Sequence, residues 1–599
     1  MRGQMWGWAM SPDAEREGPQ TALGDLFCCS CELLRSAGTV QCLVRSNRVS
    51  RPSIHQSLAP LSAVHAARVF SVVGSVMACA CSLLLAVCLT VPVNAQLVVE
   101  LGPLAAPVGG STSDRFGTAV EWQRDFIAVG APGWRSPSST GVPQDLAGAV
   151  HIYNPSPLGG FNYANTLVAG SGAEAGDAYG QALSSTPDWL VVGAPSTDVT
   201  GLTGSLQLQA GVAWIWTWDG TMWQSMGSVQ HHDPRSIDTF GAALSMWHDS
   251  DPIVGLPPEL AVGAPLDNEP SNNCGSVTIF ELSSVTSMFE KTAFIAAPVL
   301  PGASGYSASD GLFGCSVILE RDLLIVGAKR RTLSVSNQGL VFVFRRNAAG
   351  APIMPSPPAW GPWKLMQVLQ TASTPLVLEE FGTSMDLYGR VLAVGAPGGS
   401  TSPGSVNVFL QDAVTGDFNP THRIFAVGGG DPGDQFGAAV QVNSGWCYIG
   451  APGYDAGSGA SSVADRGVVY EFRWNPSAAL WEVTRVLHPP NPSAFPTVSM
   501  NSPDAGMGTS LALGSGQVVV GAPKGNNTLA SQGLVMVYEG ERGTCYGDVN
   551  GDGDVSSPDI SQLFALWGTT EQFADLNNDG VVSGLDLIVL LALYGPCDL

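Results

Sequence analysis

The chain has 599 residues, 45% of them hydrophobic, only 13% charged, and 72 of them glycine; that is too long for one small core and too apolar for a chain disordered throughout. The net charge is −24, and residues 1–95 hold seven arginines against five acids, so the remainder carries −26. An acidic body of this kind has nothing to neutralise phosphates, which argues against nucleic-acid binding.

In chain order, residues 1–63 show no periodicity and form an unassigned extension. Residues 64–95 read as a signal peptide or an anchor. Arg68 precedes an apolar run from Val69 to Val93, which closes Val93-Asn94-Ala95 before Gln96. A small residue ending an apolar run predicts cleavage and export, hence a secreted or cell-surface protein. The alternative is a retained anchor, since the run is long enough to span a bilayer. Seven of the 12 cysteines precede Gln96, leaving Cys274, Cys315, Cys447, Cys545 and Cys597. Five cannot all pair within one molecule. Cys545 and Cys597 bracket the last segment and are predicted to form a disulfide after export, whereas Cys447 reads as core.

Residues 96–540 are filled by a repeat. Seven times a large residue and glycine precede an apolar strand that ends in Gly-Ala. The pairs are Phe116-Gly117, Tyr179-Gly180, Phe240-Gly241, Phe313-Gly314, Phe381-Gly382, Phe436-Gly437 and Met507-Gly508. Each repeat adds a third strand opened by glycine, such as "GSVTIF", and a fourth lies between repeats, such as Trp363 to Leu369 or Trp481 to Leu487. Valine, isoleucine and aromatics suit a pleated surface. No fourth strand follows the last repeat, but one precedes the first, Leu97 to Leu101. The count predicts seven four-stranded sheets, with the N-terminal strand completing the last and closing a ring without free edges.

These motifs resemble the FG-GAP repeat of integrin α-subunits, which implies a mainly β protein built on a seven-bladed β-propeller. Several integrin blades carry calcium loops; the matching connections here are short, as in "GSGQVVVGAP", so no calcium is carried into the blades. An acid recurs before the large residue, at Asp114, Asp177, Asp238, Glu380, Asp434 and Asp504. It reads as a turn former bonding its own backbone rather than as a ring of cation ligands. His231-His232-Asp233, followed by proline, reads as a surface turn, and Trp214, Trp216 and Trp218 as one face of a packed strand.

At residues 545–599 the repeat stops and a small α-helical segment begins. "DVNGDGDVSSPD" places Asp548, Asn550, Asp552, Asp554, Ser556 and Asp559 at loop positions 1, 3, 5, 7, 9 and 12. "DLNNDGVVSGLD" repeats the pattern with Asp575, Asn577, Asp579, Val581, Ser583 and Asp586. Alternating oxygens on a tight loop suit calcium, with the backbone carbonyl acting at position 7 and glycine at position 6 permitting the turn. Two Ca²⁺ ions are expected. Behind each loop an apolar stripe predicts a helix: Ile560, Leu563, Phe564 and Trp567, then Leu587, Leu590, Leu591 and Tyr594. The two stripes are expected to pack together. This segment resembles a type I dockerin, EF-hand-like, which implies a cohesin-type partner. Many such domains carry Ser-Thr at loop positions 10 and 11; here these are Ser557-Pro558 and Gly584-Leu585, which leaves open another surface partner.

No G-x-S-x-G, H-E-x-x-H or P-loop pattern occurs. The sequence therefore reads first as a monomeric, secreted binding or adhesion scaffold, its propeller face presented to a protein or glycan and its tail attached to a partner. A carbohydrate-active enzyme, a polysaccharide hydrolase or lyase with a dockerin tail, is the alternative, and an anchored structural surface protein a third.

Overall fold

The computed structural model describes residues 30–36, 39–45 and most of 100–596. Within that last span the longer segments outside it are 105–110, 138–142, 249–255, 301–310, 456–463, 490–503, 540–546, 550–553, 570–573 and 577–580, with shorter ones elsewhere. The expected signal or anchor at 64–95 lies outside the described residues. In the extension, Ser30–Ser36 pairs with Thr39–Arg45 as an antiparallel hairpin, an element that the lack of periodicity did not predict. Among the described residues no helix is long and apolar enough to cross a membrane.

From Glu100 onward the chain forms seven four-stranded antiparallel sheets. In blade 1 the strands are Val120–Gln123, Phe126–Ala131, Ala149–Pro155 and Phe161–Leu167. Blades 2 to 6 repeat this order. Blade 7 takes its first three strands from Ser510–Gly514, Gln517–Ala522 and Leu534–Glu539, and its fourth from the N-terminal Glu100–Pro103. The ring closes by this strand, as the count predicted; of the expected Leu97 to Leu101, residues 97–99 lie outside the described residues. The first strands neighbour one another around the ring, blade 7 against blade 1 included.

Each blade's second strand explains its unbroken apolar run. It is sandwiched between two neighbouring blades, so both of its faces are buried. In Phe126–Ala131, Ile127 and Val129 join the cluster shared with blade 7, while Phe126 and Ala128 join the cluster shared with blade 2. One such apolar cluster fills each of the seven junctions between blades. The large residue of every repeat is buried there, from Phe116 to Met507.

The glycines pack blade against blade. A Cβ on Gly130 would lie 2.0 Å from the carbonyl oxygen of Gly180, and the same approach joins Gly521 to Gly117 across the closure, at 2.1 Å. The residue before each large residue takes a left-handed backbone, with φ between 54 and 66° from Arg115 to Gly506. The pairing of third and fourth strands shifts register once in every blade, for example at Ile152/Tyr153, Ile279/Phe280 and Glu471/Phe472. A bulge at that point increases local twist.

Behind the propeller lie two helices, α1 (Ser557–Ala565) and α2 (Gly584–Ala592), the only ones of α type among the described residues.

Candidate functional site

The tail is built on a 27-residue repeat (590 − 563), and burial follows it. Val549 and Leu576, Val555 and Val582, and Leu563 and Leu590 are buried in one small core. The two repeats clasp each other reciprocally. Val555 pairs with Gly595 behind α2. Val582, the same position in the second loop, donates to the Thr569 carbonyl at 2.9 Å and accepts from the Gly568 amide at 2.8 Å, just behind α1. A domain this small gains stability from tying its ends together.

The loop ends are also equivalent. Asp559 and Asp586 have no solvent exposure. Oδ2 of Asp559 accepts from the Ser556 amide at 2.8 Å and its hydroxyl at 3.3 Å. Oδ2 of Asp586 accepts from the Ser583 amide at 2.7 Å and its hydroxyl at 3.2 Å. Each carboxylate caps its own helix from the third position, where negative charge is favoured by the helix dipole. Buried carboxylates need partners, and the two loops offer only oxygen donors, a set suited to a hard cation. The residues therefore fit calcium. Asp548, Asn550, Asp552, Asp575, Asn577 and Asp579 lie outside the described residues, as do Cys545 and Cys597; Asp554 is described only in its backbone, and Val581 is half-exposed.

The apolar stripes do not pack together in full. Leu563 and Leu590 meet in the core, with Ile560 and Leu587 partly buried beside them. Phe564, Trp567, Leu591 and Tyr594 instead stay 52%, 45%, 52% and 54% exposed. The core between two nine-residue helices has room for one inward row, so the second half of each stripe faces solvent. Phe564 and Trp567 stack at 5.4 Å, and the Trp567 ring lies within reach of Gly584 at the start of α2. Leu585 and Ile588 of α2 are exposed as well. Apolar residues exposed together mark an interaction surface.

On the propeller, the recurrent acids behave as turn formers. Oδ2 of Asp114, Asp177, Asp238 and Asp434 accepts from the amide three residues earlier, at 2.6, 2.8, 2.6 and 2.8 Å. In blade 5 Glu379 plays this part, through the Leu376 amide at 3.0 Å. Glu380 falls instead on the left-handed position, and Asp504 lies one residue ahead of the register, where Ala505 stands. Burial raises the pKa of Asp177 to about 6 and that of Asp238 to about 7. His231 is no surface turn: it is buried, with Nε2 3.5 Å from Oδ2 of the equally buried Asp267 of the next blade.

Sequence reasoning also missed a belt of side chains around the propeller axis. The first strand of each blade has an open edge, and in blades 1, 2, 3 and 5 a polar side chain bridges it to the following blade. Ser184 Oγ accepts from the Met246 amide and Ser245 Oγ from the Leu319 amide, both at 2.9 Å. Asp386 Oδ2 accepts from the Val442 amide at 2.6 Å, and Glu121 Oε2 from the Ser185 hydroxyl at 3.1 Å. These four residues occupy equivalent positions in their strands, paired with Val191, Ala261, Ala393 and Ala128. A polar residue inside an apolar strand was the available signal. Burial pushes Glu121 up to about 8 and Asp386 to about 6; the Asp386 charge also raises Glu121.

Comparison with known proteins bears on the tail. No curated protein sequence matches the chain. Among solved structures, the crystal structure of Saccharomyces cerevisiae Sqt1 matches at 12% identity over 74% of this chain and 99% of that one, with a TM-score of 0.37. Residues 546–592 match the family model of the Dockerin type I domain. The chain thus carries a type I dockerin domain at its C-terminal end, behind a seven-bladed β-propeller.

Proposed function

We propose that this is a secreted, calcium-binding attachment protein, in which the dockerin domain docks the chain onto a cohesin-type partner and the propeller serves as the binding or adhesion scaffold. A dockerin domain implies such a partner. The observation that carries the reading is the exposure of Phe564, Trp567, Leu591 and Tyr594 at matched positions of the two repeats, with a buried carboxylate at each loop end. Calcium is held by Asp548, Asn550, Asp552, Ser556 and Asp559, and by Asp575, Asn577, Asp579, Ser583 and Asp586, with the carbonyls of Asp554 and Val581 at position 7. Metal binding and folding of the tail are then one event. The apolar character of α2, with Leu585 at position 11, favours a partner groove that is apolar where hydroxyl pairs are read elsewhere. The propeller resembles the FG-GAP type, and its loops offer a rigid face to a protein or glycan.

The test is surface plasmon resonance of the full chain over an immobilised cohesin module, with calcium and then with chelator. Saturable binding in calcium that vanishes in chelator supports the reading. Equal binding in both, or none in either, removes it.

A further inference from the structure

The geometry points to a second binding site, in the propeller, for a small organic cation that carries N–H donors, such as a primary alkylammonium. The site is a cavity of about 290 Å³ between the inner strands of blades 5, 6 and 7. Its polar wall is formed by Asp386, Tyr388, Gln441, Asn443, Tyr448 and Gln517. This inference goes beyond the docking role of the tail and does not depend on it.

Three features set the ligand's chemistry. The wall has a carboxylate, three side-chain amides and two phenols but no lysine, arginine or histidine, so it presents an excess of acceptors. Asn443 Oδ1 is buried without a hydrogen-bond partner, and such an acceptor calls for a donor. The Asp386 charge is also felt beyond the wall. Asp386 acts on Glu121 of blade 1 and on Glu320 of blade 4, raising the pKa of both. Arg345 acts on Glu320 and donates to the Gly416 carbonyl at 2.5 Å.

A bare metal ion does not suit this space. It needs oxygens converging at roughly 2.0–2.6 Å, and no group of three metal-type side chains does so among the described residues. An ammonium reaches its acceptors at about 2.8 Å, and Tyr388 and Tyr448 in the wall are residues of the type that attract cations. The volume lies at the small end of ligand pockets, about 300 Å³, and accommodates a short alkylammonium.

Isothermal titration of the calcium-saturated full chain with 1,4-diaminobutane tests the assignment, with uncharged 1,4-butanediol as comparison. Asp386→Asn keeps the acceptor for the Val442 amide and removes the charge. Gln517→Lys places an ammonium in the wall, at the half-buried first residue of a strand. Saturable diamine binding is expected, weakened about tenfold or more by each variant, with no binding of the diol. Melting curves without ligand establish that each variant is folded, and either folded variant suffices. The proposal is overturned by absence of diamine binding up to about 10 mM, by binding that a folded variant leaves unchanged, or by a diol that binds as well as the diamine. Loss of cohesin binding in the earlier experiment would leave this result untouched.

Discussion

Replacing Gly263 by alanine should open the propeller between blades 3 and 4. The new Cβ would lie 2.1 Å from the carbonyl oxygen of Gly314 and 3.3 Å from the Ala243 side chain. An unstrained C···O contact needs about 3.3 Å, so the two blades must separate by roughly 1.2 Å at that point. Neither partner can rotate away, because one is backbone and the other a Cβ fixed to it. Overpacking costs about 1–3 kcal/mol where side chains absorb the strain; here the upper end, ~3 kcal/mol, is expected. The smaller unfolded-state benefit of Gly→Ala, about 0.4–1 kcal/mol, opposes it without cancelling it. Gly204→Ala is the control. It has φ +80° but no atom within 4 Å of the new Cβ, so it reports backbone strain alone, about 1 kcal/mol. Urea unfolding in calcium, followed by tryptophan fluorescence, gives both values. Gly263→Ala no more destabilising than Gly204→Ala would refute the blade-contact reasoning.

Four further outcomes follow from the same geometry. Glu121, Asp177, Asp238 and Asp386 all have folded pKa values raised by burial above the ordinary carboxylate range; a raised carboxyl contributes stability at low pH that is lost as pH rises through the folded value. The propeller should therefore melt at lower temperature as pH goes from 5 to 8, by calorimetry in chelator. Glu121→Gln, which keeps an acceptor for Ser185, should raise stability at pH 8 by about 1–2 kcal/mol and change little at pH 5. Chelation should remove the helical circular dichroism of the tail while leaving the propeller's β signal, and Asp559→Ala should cost about 1 kcal/mol of capping as well as lowering calcium affinity in titration. Trp567→Ser should weaken cohesin binding by about 2 kcal/mol or more in plasmon resonance, with calcium affinity unchanged.

The seven-fold count was legible because each blade repeats a local signal: a large residue buried between sheets, a glycine at backbone contact and a strand apolar on both faces. Phe116 and Gly130 can be read one at a time, since each answers to its own repeat. The acids were half legible. Turn formation at Asp114 follows from residue type, but Glu379 and Glu380 are adjacent, and only the left-handed backbone at Glu380 decides which one turns inward to cap. His231 misled for a related reason: proline three residues on marks a turn, yet His231 is buried against Asp267 of the next blade, a contact between loops 36 residues apart.

The tail shows where periodicity stops being enough. An i, i+3, i+4, i+7 stripe states that a helix has an apolar face, not how much of that face its partner can cover. Two nine-residue helices cover one row, Leu563 against Leu590, and Phe564, Trp567, Leu591 and Tyr594 remain outside. A sequence under no demand but folding would place polar residues there, because exposed aromatics invite aggregation. Their retention at matched positions of both repeats is therefore better explained by a surface that a partner covers than by the core they were expected to fill. The misplaced half of each stripe is the part that carries the functional reading.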